Sequence, residues 1–197
     1  DWAIKNPQAM PGGWAFEFYN ELYPDCDDTA EILIFLNRVG LPDSYHKLKE
    51  SERAISWLLS MQCQSGGWAA FDVDNEKEIL NQVPFADHGA MLDPPTADVS
   101  GRVLWLLGQI GFKKDHLIVE KVIGFIKDRQ ESDGSWWGRW GVNYIYGSWL
   151  ALTGLASIGE DMSQPYVRRA IKWYEDHQNE DGGWGETCES YKIPSLA

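Results

Sequence analysis

Residues Tyr23–Asp28 read Y-P-D-C-D-D, and Thr29, Ala30 and an apolar run follow. Three carboxylates, Asp25, Asp27 and Asp28, thus fall within four residues. Such a cluster can start a helix, where acids favour the positive end of the macrodipole. It can hold a divalent cation through oxygen ligands. It can also store a proton. An isolated Asp has a pKa of about 3.9 and is ionised at pH 7. Like charges close by raise that value, and burial against an apolar stretch such as Ile32-Leu33-Ile34-Phe35 raises it further. A useful acid also needs its conjugate base stabilised as the proton leaves, by a cation or a hydrogen-bond donor.

The elements that would position this cluster repeat. Gln62-Cys-Gln-Ser-Gly-Gly-Trp68, Gln130-Glu-Ser-Asp-Gly-Ser-Trp136 and Gln178-Asn-Glu-Asp-Gly-Gly-Trp184 share the pattern Q-x3-G-x-W, and Gln8-Ala-Met-Pro-Gly-Gly-Trp14 is a fourth copy. Upstream of the three later Gln residues, apolar side chains recur in register: Ala54, Val122 and Ala170; Ile55, Ile123 and Ile171; Trp57, Phe125 and Trp173. This is the stripe of an amphipathic helix. Each repeat therefore reads as a helix, a Gly-containing turn and a Trp, with Gln and Trp satisfying free backbone groups at the helix end. Between the repeats lie more apolar helices, expected at Thr29–Val39 (closed by Gly40 and Pro42), Ala97–Gly111 and Val142–Ile158. The last is apolar nearly all round and is expected to be buried. Paired inner and outer helices of this kind predict an all-α fold, an incomplete α-α barrel. No linker or composition break divides the chain, so residues 1–197 are expected to be part of one such domain. The chain opens on Asp1-Trp2 without an initiator Met and ends on Pro194-Ser-Leu-Ala197, which suggests a piece of something larger.

Composition narrows the function. A net charge of −13 argues against a nucleic-acid groove, which needs clustered Lys and Arg. The three cysteines, Cys26, Cys63 and Cys188, are scattered and fit neither a disulfide framework nor a zinc site. No apolar run approaches the length of a membrane span, though a monotopic contact needs only an exposed apolar patch. Eleven Trp residues are far more than an ordinary domain of this size carries, so aromatic rings have a repeated task here.

The repeats resemble the QW motifs of triterpene cyclases, and Asp25-Cys-Asp-Asp-Thr-Ala30 resembles their D-x-D-D acid motif. Gly12-Gly-Trp-Ala-Phe-Glu-Phe18, Gly66-Gly-Trp-Ala-Ala-Phe-Asp-Val-Asp-Asn75, Asp93-Pro-Pro95 and Gly134-Ser-Trp-Trp-Gly-Arg-Trp-Gly-Val-Asn-Tyr144 match as well. Together they cover essentially the whole chain and are most similar to the squalene–hopene cyclase family. That resemblance implies proteins about three times longer, with two α-α barrels, so the isolated 197 residues are expected to be inactive. D-x-D-D, in place of D-C-T-A, goes with protonation of a plain alkene instead of opening of an epoxide. Asp27 would donate the proton, with Asp25 and Asp28 tuning it. A second Asp, Asp98, and Arg102 one turn later on the same helix face would support the site. Arg102 stands where the family has His. It is always charged and could hold an anion, but could not relay a proton as a neutral base. Tyr146 would hydrogen-bond into this network.

Polyene cyclisation passes through carbocations in a dry cavity, and aromatic faces stabilise them without adding to them, by about 2 kcal/mol or more each when desolvated. Phe16, Phe71 and Trp140 are the candidate substrate-binding residues on that argument and by resemblance. The resemblance further implies squalene or a similar polyprene as partner, no cofactor and no metal, and a peripheral, monotopic contact with the cytoplasmic side of the cell membrane. Oligomeric state is left open, with a homodimer as one candidate. The rival readings are a metal site, a carbohydrate-active barrel, a prenyl-binding helical module without cyclase activity, and a cyclase for another polyprene. D-x-D-D lacks the helical i,i+4 carboxylate pair of metal-dependent terpene synthases. Asp72-Val-Asp74-Asn75 lacks the Gly and terminal Glu of a calcium loop. Glycosidases space two carboxyl groups about 5–10 Å apart, a poor match to three acids in four residues. A prenyltransferase-like module would need a zinc trio of Asp, Cys and His, which the sequence does not offer convincingly.

Overall fold

A computed structural model describes residues 2–39, 49–75 and 92–196. Among them are the helices α1 (Trp2–Lys5), α2 (Cys26–Arg38), α3 (Lys49–Ser60), α4 (Ala97–Gln109), α5 (Leu117–Asp128), α6 (Tyr144–Ser157) and α7 (Pro165–Asp176). Two short 3-10 turns, Cys188–Tyr191 and Pro194–Leu196, follow. The described residues contain two isolated β-bridges and no strand. The helices gather into two compact units, Asp1–Pro95 and Thr96–Ala197.

In the first unit, α2 starts three residues earlier than the apolar run alone predicts. Asp25 sits in extended backbone at the N-cap, and its Oδ1 accepts from the N–H of Asp27 at 2.6 Å and of Asp28 at 3.0 Å. Asp27 and Asp28 occupy the first turn, where the macrodipole favours anions. The buried face, Cys26, Thr29, Ala30, Leu33 and Ile34, follows the helical spacing and packs towards α3. The closing residues Gly40 and Pro42 lie outside the described residues. On α3 the buried stripe is Ala54, Trp57 and Leu58.

In the second unit, α4 and α6 form the core pair. They end within two residues of the Ala97–Gly111 and Val142–Ile158 expected. Backbone meets backbone at their crossing: a Cβ on Gly101 would stand 2.6 Å from the Leu150 carbonyl carbon, and one on Gly154 2.4 Å from the Gly101 carbonyl oxygen. Ten of the thirteen α4 residues are buried. The expectation that α6 is buried all round needs correcting, because Trp149 is exposed and Ile145 and Tyr146 are only partly covered.

The repeats form one staple three times. Gln62, Gln130 and Gln178 each donate from Nε2 to the carbonyl of the Gly four residues on, at 2.8 Å in every case. Those glycines, Gly66, Gly134 and Gly182, have φ of 97°, 104° and 85°, a conformation that L side chains rarely adopt. Trp68, Trp136 and Trp184 donate from Nε1 to the carbonyls of Leu58, Ile126 and Tyr174 at 2.7, 2.7 and 2.9 Å. Each accepting carbonyl lies two residues before the end of α3, α5 or α7, where its other backbone donor is the longer i+3 bond from the N–H of Met61, Arg129 or His177 at 3.2, 3.3 and 3.3 Å. The first copy is different. Only the four-residue α1 precedes Gln8, and Trp14 instead exchanges backbone bonds with the Thr29 hydroxyl at 2.8 and 3.3 Å.

Candidate acid site and its family

The first unit holds Asp25, Asp27, Asp28, Phe16 and Phe71. Asp25 is 7% exposed, while Asp27 and Asp28 are partly covered. Burial pushes the Asp25 carboxyl up to about 7 from its ordinary 3.8, and the charges of Asp28 and Asp27 add to the rise. The N–H groups of Asp28 and Asp27 oppose it, because they favour the anion. The backbone around the cluster is tied on three sides. Asp25 N–H donates to the Trp14 carbonyl at 2.8 Å, and Cys26 N–H donates to the Ala70 carbonyl at 2.7 Å. The Thr29 hydroxyl returns the chain to Trp14. Cys26 itself is fully buried, which pushes its thiol well up. The Phe71 ring packs against Tyr23 with centroids 5.6 Å apart, whereas Phe16 is 75% exposed. Asp72 and Asp74, read from the sequence against a calcium loop, have other work. Asp72 pairs with Lys5 at 2.9 Å, and Asp74 accepts from the Gln64 N–H at 2.8 Å.

The raised Asp25 value has a consequence for stability. Between about pH 4 and pH 7 the folded chain keeps a proton that the unfolded chain has released. Stability from this group is therefore greatest in acid, declines as pH rises through that window and levels off above it. Asn caps helices about as well as Asp. Asp25→Asn should thus match the wild type near pH 4 and exceed it at pH 8. Urea midpoints across pH 4–8 check this, and equal pH slopes for the two proteins would contradict it.

The second unit holds Asp98, Arg102, Tyr146 and Trp140. Asp98 is 1% exposed on the first turn of α4. Its Oδ2 accepts from the N–H of Arg139 at 2.8 Å and of Trp140 at 2.9 Å, and its Oδ1 is buried without a hydrogen-bond partner among the described residues. Asp98 therefore fixes the loop that presents Trp140, whose ring is 45% exposed with the Arg139 guanidinium 5.3 Å from its centroid. One turn on, Arg102 is buried and donates to the Tyr146 hydroxyl at 3.0 Å, with its guanidinium 5.9 Å from the Trp149 ring centroid. The structure thus joins Arg102 with Tyr146 and Asp98 with Trp140. A groove of about 470 Å³ lies in the same unit, lined by Ile145, Trp149, Leu152, Thr153, Tyr174 and Trp184.

Two carboxylates escaped the sequence reading as individual residues. Glu186 accepts from the N–H groups of Asn143, Tyr144 and Ile145 at 3.1, 3.2 and 3.0 Å, so it caps the helix that carries Tyr146. Asp93 takes the N–H groups of Ala70, Phe71 and Asp72. The available signal was position: an acid two residues after a repeat Trp, and an acid before a Pro pair.

The family model of the squalene-hopene cyclase C-terminal domain matches residues 1–197. This chain belongs to the squalene–hopene cyclase family. A squalene–hopene cyclase of Zymomonas mobilis is 46% identical over 195 residues, covering 98% of this chain and 30% of that protein. One of the fission yeast Schizosaccharomyces japonicus is 50% identical over 192 residues, covering 98% and 29%. The chain thus spans about three-tenths of the length of these relatives. The apo structure of the type II terpene cyclase MstE from Scytonema superposes with a TM-score of 0.66 at 22% identity, over 94% of this chain and 49% of that one. The likeness shows the fold: the helix pairs of this squalene–hopene cyclase family member are those of an α-α barrel.

Proposed function

We propose that the protein carrying this chain cyclises squalene to hopene-type pentacycles, starting from Brønsted-acid protonation of a terminal alkene. The observation that carries the reading is the acid cluster at the head of α2, where the buried Asp25 stays protonated up to about pH 7 beside Asp27 and Asp28. Family membership supplies the substrate class. Asp27 gives its proton to the less substituted carbon of the terminal alkene, whose π electrons form the new C–H bond. The tertiary cation left behind is attacked by the next double bond, and so along the chain. Loss of a proton or capture of water ends the cascade. Asp25 and Asp28 tune that proton: with one carboxylate ionised, loss of the next proton from the cluster is opposed by like charge. Phe16, Phe71 and Trp140 offer π faces to the developing cations. Asp98 holds Trp140 through its backbone, and Arg102 acts with Tyr146 as a fixed cation and hydroxyl. Residues 1–197 form part of a single barrel carrying the acid motif.

Squalene is a hydrocarbon found in bilayers, so the proposal includes a peripheral membrane contact on the cytoplasmic side. Among the described residues no helix is long and apolar enough to cross a membrane. The test is incubation of the full-length protein with squalene, without added metal, and product analysis by mass spectrometry. Pentacyclic products are expected, with unchanged turnover in EDTA and with activity falling as pH rises past the window in which the cluster keeps its proton. Turnover that EDTA abolishes would overturn the acid mechanism, and a different product skeleton would reassign the specificity. Liposome flotation tests the membrane contact, and light scattering separates monomer from homodimer.

A further inference from the structure

The loop after the first staple is held from both sides. Asp93 Oδ1 accepts from the Ala70 N–H at 3.2 Å, and Oδ2 accepts from the N–H groups of Phe71 at 2.6 Å and Asp72 at 2.7 Å. Hydrogen bonds to an ionised acceptor are the strong kind, and three on one buried carboxylate leave the loop little freedom. The Ala70 carbonyl points the other way and accepts the Cys26 N–H at 2.7 Å. Cys26 opens α2 between Asp25 and Asp27, and its N–H is one of the donors that a helix start leaves without a helical partner. Asp25 takes the next two such donors itself. One side chain therefore reaches two candidate site elements through backbone alone. Through Ala70 it fixes where α2 begins, and through the Phe71 N–H it fixes a ring expected to face the substrate. Pro94 and Pro95 follow directly and stiffen the strand of chain that carries the anchor.

We propose that Asp93 is a positioning residue of the acid site, setting the place of Asp25–Asp28 and of the Phe71 ring through residues 70–72. The proposal rests on the cyclisation reading above. Asp93 donates no proton and need not touch substrate. Misplacing reacting groups by about an ångström costs on the order of 100-fold in rate. An anchor of stability alone would change the folded fraction and leave turnover per folded molecule untouched.

Two variants of the full-length protein test this. Asp93→Asn keeps the shape and turns an NH2 group towards backbone donors. Asp93→Glu keeps the charge and moves it by one methylene. For each, kcat on squalene per folded molecule is expected to fall about 10–100-fold, with KM within about twofold of the wild type. Wild-type kcat in either variant, or a change in KM alone, would overturn the proposal, because charge or folding would then account for Asp93. A second readout needs no substrate. Cys26 and Cys63 are buried and Cys188 is exposed. In a Cys188→Ser background, maleimide labelling of Cys26, resolved from Cys63 by peptide mass mapping, should accelerate at least about tenfold in Asp93→Asn as the loop opens locally. Unchanged labelling overturns the link. A wild-type protein that leaves squalene untouched, with Cys26 labelling still accelerated in the variant, overturns the proposed function and supports the link. Should Asp93→Asn fail to fold, Asp93→Glu carries both readouts.

Discussion

Replacing Asp27 with Asn is expected to lower kcat on squalene by about 10²–10⁴-fold, the range that a positioned proton donor supplies, while the protein stays folded. The fold should survive because Asp27 contributes a backbone N–H, not its side chain, to the cap made by Asp25. Asn has the same size and leaves that bond in place. What it removes is the acidic proton. An alkene is a poor base, so nothing else in the first turn replaces a missing acid cheaply except a neighbouring carboxyl. Asp25 is that neighbour, buried and protonated up to about pH 7. Its Oδ1 already accepts two N–H groups, which ties the carboxyl to the helix start and makes it a tuning group more than a donor. Asp25→Asn should therefore retain more activity than Asp27→Asn. Steady-state kinetics with circular dichroism on both variants decides the matter. Full activity in Asp27→Asn together with loss in Asp25→Asn would move the donor role to Asp25.

Much of the helical frame was legible because the physics that builds it is local. Gly and Pro punctuate α4 and α6, and their expected ends came within two residues. The staples were legible because each needs a donor at a fixed distance from a helix end, and only Gln and Trp at one spacing supply it. Two features were not legible. The apolar run begins at Thr29 and predicts the start of α2 there, yet the acids that point to chemistry are also the cap and first turn. The same residues serve both purposes, and periodicity registers neither. The exposure of Trp149 on α6 was hidden for the opposite reason: a helix apolar on every side has no polar face to report which side meets solvent.

The site shows a sharper limit. Asp27, Phe71 and Trp140 can be nominated by residue type, since acid and π chemistry require those types. Asp93, Asp98 and Glu186 act on backbone N–H groups, which nearly every residue possesses. Their partners therefore leave no mark in the sequence. The resemblance makes Asp98 a support for the acid; in the structure its Oδ2 holds the loop bearing Trp140, and Arg102 beside it donates to Tyr146. Spacing i,i+4 placed the two on one helix face without deciding whether they meet.

Trp136→Ala should be among the most destabilising single changes in the chain, costing about 3–5 kcal/mol, the range for emptying a buried aromatic site. Trp136 is 0% exposed, its indole N–H holds the Ile126 carbonyl at 2.7 Å, and its backbone N–H is held by the Ser148 hydroxyl at 2.8 Å. Removing the ring leaves a cavity and leaves the Ile126 carbonyl with only the longer bond from the Arg129 N–H at 3.3 Å, so the loss should fall towards the upper end of that range. Trp184 separates the two causes. It makes the equivalent bond to the Tyr174 carbonyl at 2.9 Å but is 46% exposed. Trp184→Ala loses the same hydrogen bond with far less burial, and about 1–2 kcal/mol is expected, mostly from the bond. Trp136→Phe supplies the complement, keeping most of the apolar volume and losing the donor. Urea unfolding of the three variants measures the difference. Equal losses at Trp136 and Trp184 would show that the staple's hydrogen bond, not the buried indole, carries its stability.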